Sequence, residues 1–156
     1  MNSSRPAAEI REASARDLPV LLRMMRSLAE QPPALPFDDG EVRAAFEKFF
    51  ADTKLGQAWV LWLGEKPVGY VILTMGYSFE FRGRDAFIDE LYIEPEFRRM
   101  GLGRRALEFL EEKARALGVN ALHLEVDRGN DAALELYRRA GYADPGRYLM
   151  TKWLRR

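Results

Sequence analysis

The sequence predicts an α/β protein in three layers, α/β/α, on a mixed, mostly antiparallel sheet of six to seven strands with about four helices. Three observations point there. Strand-like runs follow one another from residue 57 to residue 93 across short turns, as in an antiparallel meander. The apolar spacing then switches to the helical period over Leu102–Leu117. Strand, helix and strand patterns next alternate between glycines, which calls for a crossover connection.

The elements follow in order. Residues Met1–Ala8 read as a disordered, frayed tail, and residues 9–156 as a single domain. Glu9–Ala13 reads as a short edge strand. Ser14 suits a helix N-cap, and Asp17 in the first turn suits the helix dipole. Leu18, Leu21, Leu22, Met25, Leu28 and Ala29 recur at helical spacing, so a helix is expected from Ala15 to Glu30. Gln31–Phe37 holds three prolines and reads as a loop. Asp38 and Asp39 can cap a second helix carrying Val42, Phe46, Phe49 and Phe50.

Gln57–Leu63 is a strand pattern, Gly64–Pro67 a turn, and Val68–Phe81 a long partner strand with a bend expected at Gly76. Arg82–Asp85 reads as the next turn and Ala86–Ile93 as the third strand. Pro95 cannot donate to a ladder, so pairing should stop there. The helix through Leu102, Ala106, Phe109, Leu110, Ala114 and Leu117 closes at Gly118. Ala121–Val126 is a strand, Ala132–Ala140 a short helix closed by Gly141, and Tyr148–Leu154 a final strand.

Composition narrows function. The chain has 156 residues, 47% hydrophobic and 31% charged, a globular balance. Lys+Arg and Asp+Glu each number 24, so the net charge is zero and a nucleic-acid grip is disfavoured. There is no Cys and one His, which excludes disulfides, thiolate metal sites and a cysteine nucleophile, and no metal is expected. No apolar run approaches membrane-spanning length, and the first residues lack the apolar core of a signal peptide. A cytoplasmic protein without membrane or nucleic-acid partners is expected.

The most informative stretch is Arg98-Arg99-Met100-Gly101-Leu102-Gly103-Arg104-Arg105, which follows a strand and opens a helix. Glycine lets backbone approach a ligand closely. The first N–H groups of a helix lack intrahelical partners and sit at its positive end, a setting for phosphate. The arginines add charge for more distant phosphates. Such a turn can also be a plain strand-to-helix connection with solvated arginines. The Rossmann spacing fits poorly, because the turn follows a late strand, and no Walker lysine follows.

Four stretches in order make the chain resemble the GNAT family of N-acetyltransferases. They are Phe87–Ile93 (FIDELYI), the Arg98-x-x-Gly101-x-Gly103 turn, Asn130 after a strand, and Leu136-Tyr137 with Gly141-Tyr142. The resemblance covers Trp59 to Leu154 and implies the acyl-CoA N-acyltransferase fold, with acetyl-CoA as co-substrate. By resemblance, the N–H groups of Met100, Gly101, Leu102, Gly103 and Arg104 cradle the CoA pyrophosphate, with Arg98 and Arg99 beside them. The Leu91-Tyr92-Ile93 edge pairs with the pantetheine arm, in a slot opened where it splays from the Leu122–Val126 strand. Asn130 and Ala133 adjoin that arm; Asn130 also suits a cap for the helix after it. Tyr137 matches the family's general acid, which protonates the departing thiolate; a half-buried packing aromatic is the plainer alternative. Homodimers are frequent in the family, and the aromatic-rich meander could supply the surface.

An amine nucleophile must lose a proton. Alternation places His123 opposite Leu122, Leu124 and Val126, which favours a surface or structural role. Asp89 and Glu90 are better bases, since adjacent carboxylates are uncommon in mid-strand. Period two sends Asp89 to the face of Phe87 and Leu91, and Glu90 to that of Ile88 and Tyr92. The plainer alternative is one exposed carboxylate and one paired with an Arg. By resemblance, these positions act in proton removal or line the amine site, most like the diamine branch. The expected reaction is direct acetyl transfer in a ternary complex to a primary amine, with a backbone N–H near Leu91 or Ile93 polarising the carbonyl. The acceptor expected is a small cationic molecule: a polyamine, a diamine, an amino-acid side chain or an aminoglycoside-like compound. In this family the Gln31–Phe37 loop and second helix shape its pocket. Trp59, Trp62, Tyr77, Phe79 and Phe81 could line it, although sheet core suits most of them. The alternatives are a non-catalytic acyl-CoA sensor and an acetyltransferase of protein N-termini or lysines.

Overall fold

The computed structural model describes residues 8–31 and 36–154. Most of the expected tail and the centre of the proline loop therefore lie outside the described residues. Ala8, at the end of that tail, is buried. The chain divides into two compact units, one to Glu125 and one from Val126.

The first unit holds β1 (Glu9–Glu12), α1 (Leu18–Ala29), α2 (Asp39–Ala51), β2 (Gly56–Leu63), β3 (Lys66–Ser78), β4 (Gly83–Ile93), α3 (Leu102–Ala116) and β5 (Ala121–Leu124). The second holds α4 (Asp131–Arg139). The sheet runs β1-β2-β3-β4-β5, antiparallel except for the parallel β4–β5 pair. It is thus mixed and mostly antiparallel, as expected, and all four expected helices form. Among the described residues it has five strands, not six to seven.

The missing strand is Tyr148–Leu154, which has no strand conformation. Its large side chains lie open: Tyr148, Leu149, Met150, Trp153 and Leu154 are 68–89% exposed. A strand exists through backbone bonds to a neighbour, and the apolar pattern of one run cannot show whether that neighbour is present.

Local signals explain the other elements. The Ser14 N–H donates to Asp17 Oδ2 (2.8 Å) and the Arg16 N–H to Ser14 Oγ (3.3 Å). This capping box opens a short 3-10 turn that leads into α1. The Glu41 N–H donates to Asp38 Oδ1 (2.8 Å), which caps α2. Leu63 pairs with Lys66, so the first turn is the two-residue Gly64-Glu65, with Gly64 at φ 61°.

The second turn is displaced from expectation. Ser78 pairs with Gly83, so the turn is Phe79–Arg82 rather than Arg82–Asp85. Gly83 serves close approach instead of a turn: a Cβ there would lie 2.6 Å from Asn120 Nδ2. No register break falls at Gly76, where a bend was expected; the irregularities of β3 lie near Val68 and between Ile72 and Leu73.

Two apolar layers enclose the sheet. On one face Leu18, Leu21, Met24 and Phe46 of α1 and α2 pack with Ala58, Val60, Tyr70, Ile72 and Tyr92. Trp59, Leu61, Val71 and Leu73 alternate to the other face, where α3 lies and Trp59 meets Phe109 edge-on at 5.5 Å. Trp59 is therefore core, and Trp62 packs partly buried on the α1/α2 layer. Tyr77 and Phe79 are not core: they are 70% and 91% exposed.

Candidate active site

Asp89 is a β-bulge. Ile72 pairs with Glu90, and the next residue, Leu73, pairs with Ile88, so Asp89 has no opposite number on β3. The strict alternation expected for β4 is therefore broken. Glu90 and Tyr92 face the α1/α2 layer opposite Ile72 and Tyr70, whereas Ile88 faces α3 opposite Leu73. Phe87, paired with Thr74, and Leu91, paired with Val71, also lie on opposite faces. Bulges aim side chains and recur beside active sites.

The two carboxylates differ in setting. Glu90 is part-buried and accepts a 2.5 Å hydrogen bond from the Tyr70 hydroxyl. Burial pushes its pKa up, the Tyr70 hydrogen bond pulls it down, and the Asp89 charge adds to the rise. Asp89 is solvent-reachable, and partial burial raises its pKa as well. Tyr70 is raised well above its ordinary value by burial and by Glu90. Tyr70 was missed by sequence reasoning; in a run reading VGYVIL it looks like any core aromatic.

Next to the bulge, among the described residues, no strand pairs with the β5 side of β4. Its pairing with β5 ends at Ile88–Leu124, while β4 continues to Ile93. The Glu94 N–H donates to Val68 O on β3 (2.9 Å). Backbone groups alternate in direction along a strand, so those of Leu91 and Ile93 turn to the side that β5 no longer covers. An extended ligand can pair there as an added strand. β5 ends at Leu124, short of the expected Val126.

The strand then leads into the glycine turn through Pro95–Phe97. Arg99 takes φ 61° and Gly101 φ 80°, the latter at the N-cap of α3. The first intrahelical acceptor is Gly101 O, taken by the Arg105 N–H (3.1 Å). The N–H groups of Leu102, Gly103 and Arg104 therefore have no helical acceptor. Nothing lies within 4 Å of where a Gly101 Cβ would sit, so the turn presents open backbone. This is a fit for a phosphate group.

Not every arginine faces that role. The Arg98 Nε donates to Ile93 O (3.0 Å) and its Nη2 to Gln31 Oε1 (3.2 Å). The Arg104 Nε donates to Glu108 Oε1 one turn on (2.8 Å). Behind Arg98, the Tyr92 hydroxyl donates to Glu94 Oε2 (2.9 Å), and Arg23 Nη1 donates to Glu94 Oε1 (2.7 Å). Burial, then the Glu94 hydrogen bond, pushes the Tyr92 pKa up to about 12. Glu94 is the buried charge that this pair of donors satisfies. His123 Nε2 lies 3.3 Å from Asp85 Oδ2, and its ring lies 4.9 Å from that of Phe81.

The first unit thus joins Asp89, Glu90, Leu91, Tyr92, Ile93 and the Arg98–Arg104 turn along one strand and its exit. Asn130, Ala133 and Tyr137 belong to the second unit. There the Ala133 N–H donates to Asn130 Oδ1 (3.2 Å), so Asn130 caps α4. Tyr137 lies on α4 with its ring 6.0 Å from Tyr142, edge to face, and burial raises its pKa.

Known proteins resemble this chain in sequence and fold. The chain is 29% identical over 143 residues to a thialysine N-epsilon-acetyltransferase of Bos taurus, covering 86% of this chain and 84% of that protein. It is 29% identical over 145 residues to an L-methionine sulfoximine/L-methionine sulfone acetyltransferase of Pseudomonas aeruginosa, covering 90% and 83%. Among solved structures, an integron cassette protein from a salt-marsh metagenome superposes with a TM-score of 0.83 at 33% identity, covering 94% and 91%. The pattern of the acetyltransferase (GNAT) family matches residues 22–142. A match across most of the chain, over the free β4 edge and the glycine turn alike, makes this an acetyl-transferring enzyme of the acetyltransferase (GNAT) family.

Proposed function

We propose that the enzyme transfers the acetyl group of acetyl-CoA directly to a primary amine of a small cationic or amino-acid-like molecule, in a ternary complex. One observation carries this reading: the carboxylates of the Asp89 bulge adjoin the free edge of β4, and that edge runs into the open glycine turn. Relatives named for thialysine and for methionine sulfoximine and sulfone support a small acceptor.

In this reading the N–H groups of Leu102–Arg104 hold the pyrophosphate, and the Leu91 and Ile93 backbone holds the pantetheine arm and polarises the thioester carbonyl. Asp89 or Glu90 takes the amine proton, directly or through water. The amine nitrogen bonds to the carbonyl carbon, the carbon–sulfur bond breaks, and Tyr137 gives its proton to the thiolate. Carboxylates with raised pKa values are stronger bases than ordinary ones, which suits proton removal near neutral pH. With no Cys in the chain, no cysteinyl acetyl-enzyme can form. A cytoplasmic location and a homodimer belong to the proposal on family resemblance alone.

The test is thiol release from acetyl-CoA with diamines, polyamines, amino acids, aminoglycosides and peptides in turn. Release with one small-amine class supports the reading and names the acceptor. Release with peptides alone replaces it with a protein acetyltransferase. Calorimetric CoA binding without release from any amine replaces it with an acyl-CoA sensor.

A further inference from the structure

The Arg98 side chain turns back from the glycine turn and makes two directed bonds to different elements. Its Nε donates to Ile93 O, and its Nη2 donates to Gln31 Oε1 at the exit of α1. Its guanidinium also lies 5.9 Å from the centre of the Tyr92 ring. Arg23, two turns earlier on α1, holds Glu94 just beyond the end of the same strand. α1, through Arg23, and its exit, through Gln31, are therefore both tied to the end of β4.

The bonds of Arg98 have a chemical meaning. Ile93 O lies on the free side of β4 and already holds a donor. A strand-like ligand that pairs along Leu91 and Ile93 therefore meets, at Ile93, an acceptor that Arg98 already engages. Glu90 faces the α1/α2 layer, so an amine that reaches it comes past α1. Gln31 stands where α1 releases the chain on that side.

We propose that Arg98 is a positioning residue that links occupancy of the glycine turn to the acceptor side of the site, through Ile93 and Gln31. The inference rests on the acetyl-CoA reading above. A planar guanidinium suits this role, because it meets two acceptors in fixed directions, which an ammonium cannot do.

The test reads the link without needing turnover. Amide exchange is followed by mass spectrometry with and without CoA, in the wild type, Arg98→Met and Gln31→Leu. CoA is expected to slow exchange at the α1 exit, Glu30 and Gln31, about fivefold in the wild type and not in either variant, the effect of about one lost hydrogen bond. Gln31→Glu keeps an acceptor and should keep the protection. In turnover, Gln31→Leu should raise the acceptor KM about fivefold with acetyl-CoA KM within about twofold of the wild type. The double variant should have no higher acceptor KM than Arg98→Met alone.

CoA binding without protection at Glu30 and Gln31 overturns the link, as does full additivity of the two variants. Protection without thiol release from any amine keeps the link and removes the transfer reading. No CoA binding at all removes both.

Discussion

The Tyr70 hydroxyl and the Glu90 carboxylate meet at 2.5 Å across the β3–β4 ladder, one step from the Asp89 bulge. The bond favours the charged form of a part-buried carboxylate and offsets part of the rise that burial causes. Removing it frees the carboxylate to take a proton at higher pH. Tyr70→Phe is expected to shift the acidic limb of the kcat/KM profile upward and to cost about 1–3 kcal/mol in urea denaturation. An unmoved limb would mean that Glu90 does not titrate in the reaction.

The raised carboxyl pKa values set a second expectation. Activity should fall with acidification at a pH above the usual carboxylate range, because the base must be unprotonated. Asp89→Asn and Glu90→Gln separate the two groups: the variant that loses both kcat and that limb identifies the base. Stability should move the opposite way with pH. The folded state binds these protons more tightly than the unfolded chain does. Their contribution is present below the ordinary carboxylate pKa and is lost as pH rises to the raised folded value. Each amide variant should flatten that slope in thermal melts.

Tyr137 makes a third test. Its raised pKa keeps the phenol protonated beyond the ordinary tyrosine range, so activity should hold through mildly alkaline pH. Tyr137→Phe should lower kcat about 100-fold, with acetyl-CoA KM nearly unchanged, if it donates the proton. Full kcat across pH in this variant would remove it from the mechanism.

Gly101 separates conformation from space. Its Cβ position is open, so Gly101→Ala adds no clash, but φ 80° suits no other side chain well. The stability cost should be about 1–2 kcal/mol. Relaxation of the turn should weaken CoA binding at least tenfold by calorimetry, well beyond that seen for Gly118→Ala, which carries the same backbone strain at the far end of α3.

A fifth test bears on the fold alone. Arg23→Met leaves the buried Glu94 with Tyr92 as its side-chain donor. The expected loss is about 1–3 kcal/mol in urea denaturation. Adding Glu94→Gln should recover part of it, since no buried charge is then left unpaired.

Much of this was legible in the sequence, and the reasons for the rest are physical. Capping residues and apolar spacing are local signals, so Ser14, Asp38 and the Leu102–Ala116 stripe located their helices. The meander and the glycine turn were readable for the same reason. The bulge was not, because alternation assumes an unbroken ladder and only the partner strand reveals an unpaired residue. The Phe79–Arg82 turn was misplaced because Gly83 looked like a turn glycine, while its real constraint is Asn120, far away in sequence. Tyr70, Arg23 and Gln31 carried no signal of their own; each matters through a partner twenty or more residues distant.

The unpaired residue in β4 has a consequence for chain length. A deletion far from the bulge would send the side chains between it and the bulge to the wrong layer. Loss of Asp89 would not, because Ile88 and Glu90 already oppose neighbouring residues of β3 and would close into a regular ladder. Asp89 is therefore supernumerary to the architecture. The sheet would be complete, and less sharply twisted, in a chain one residue shorter.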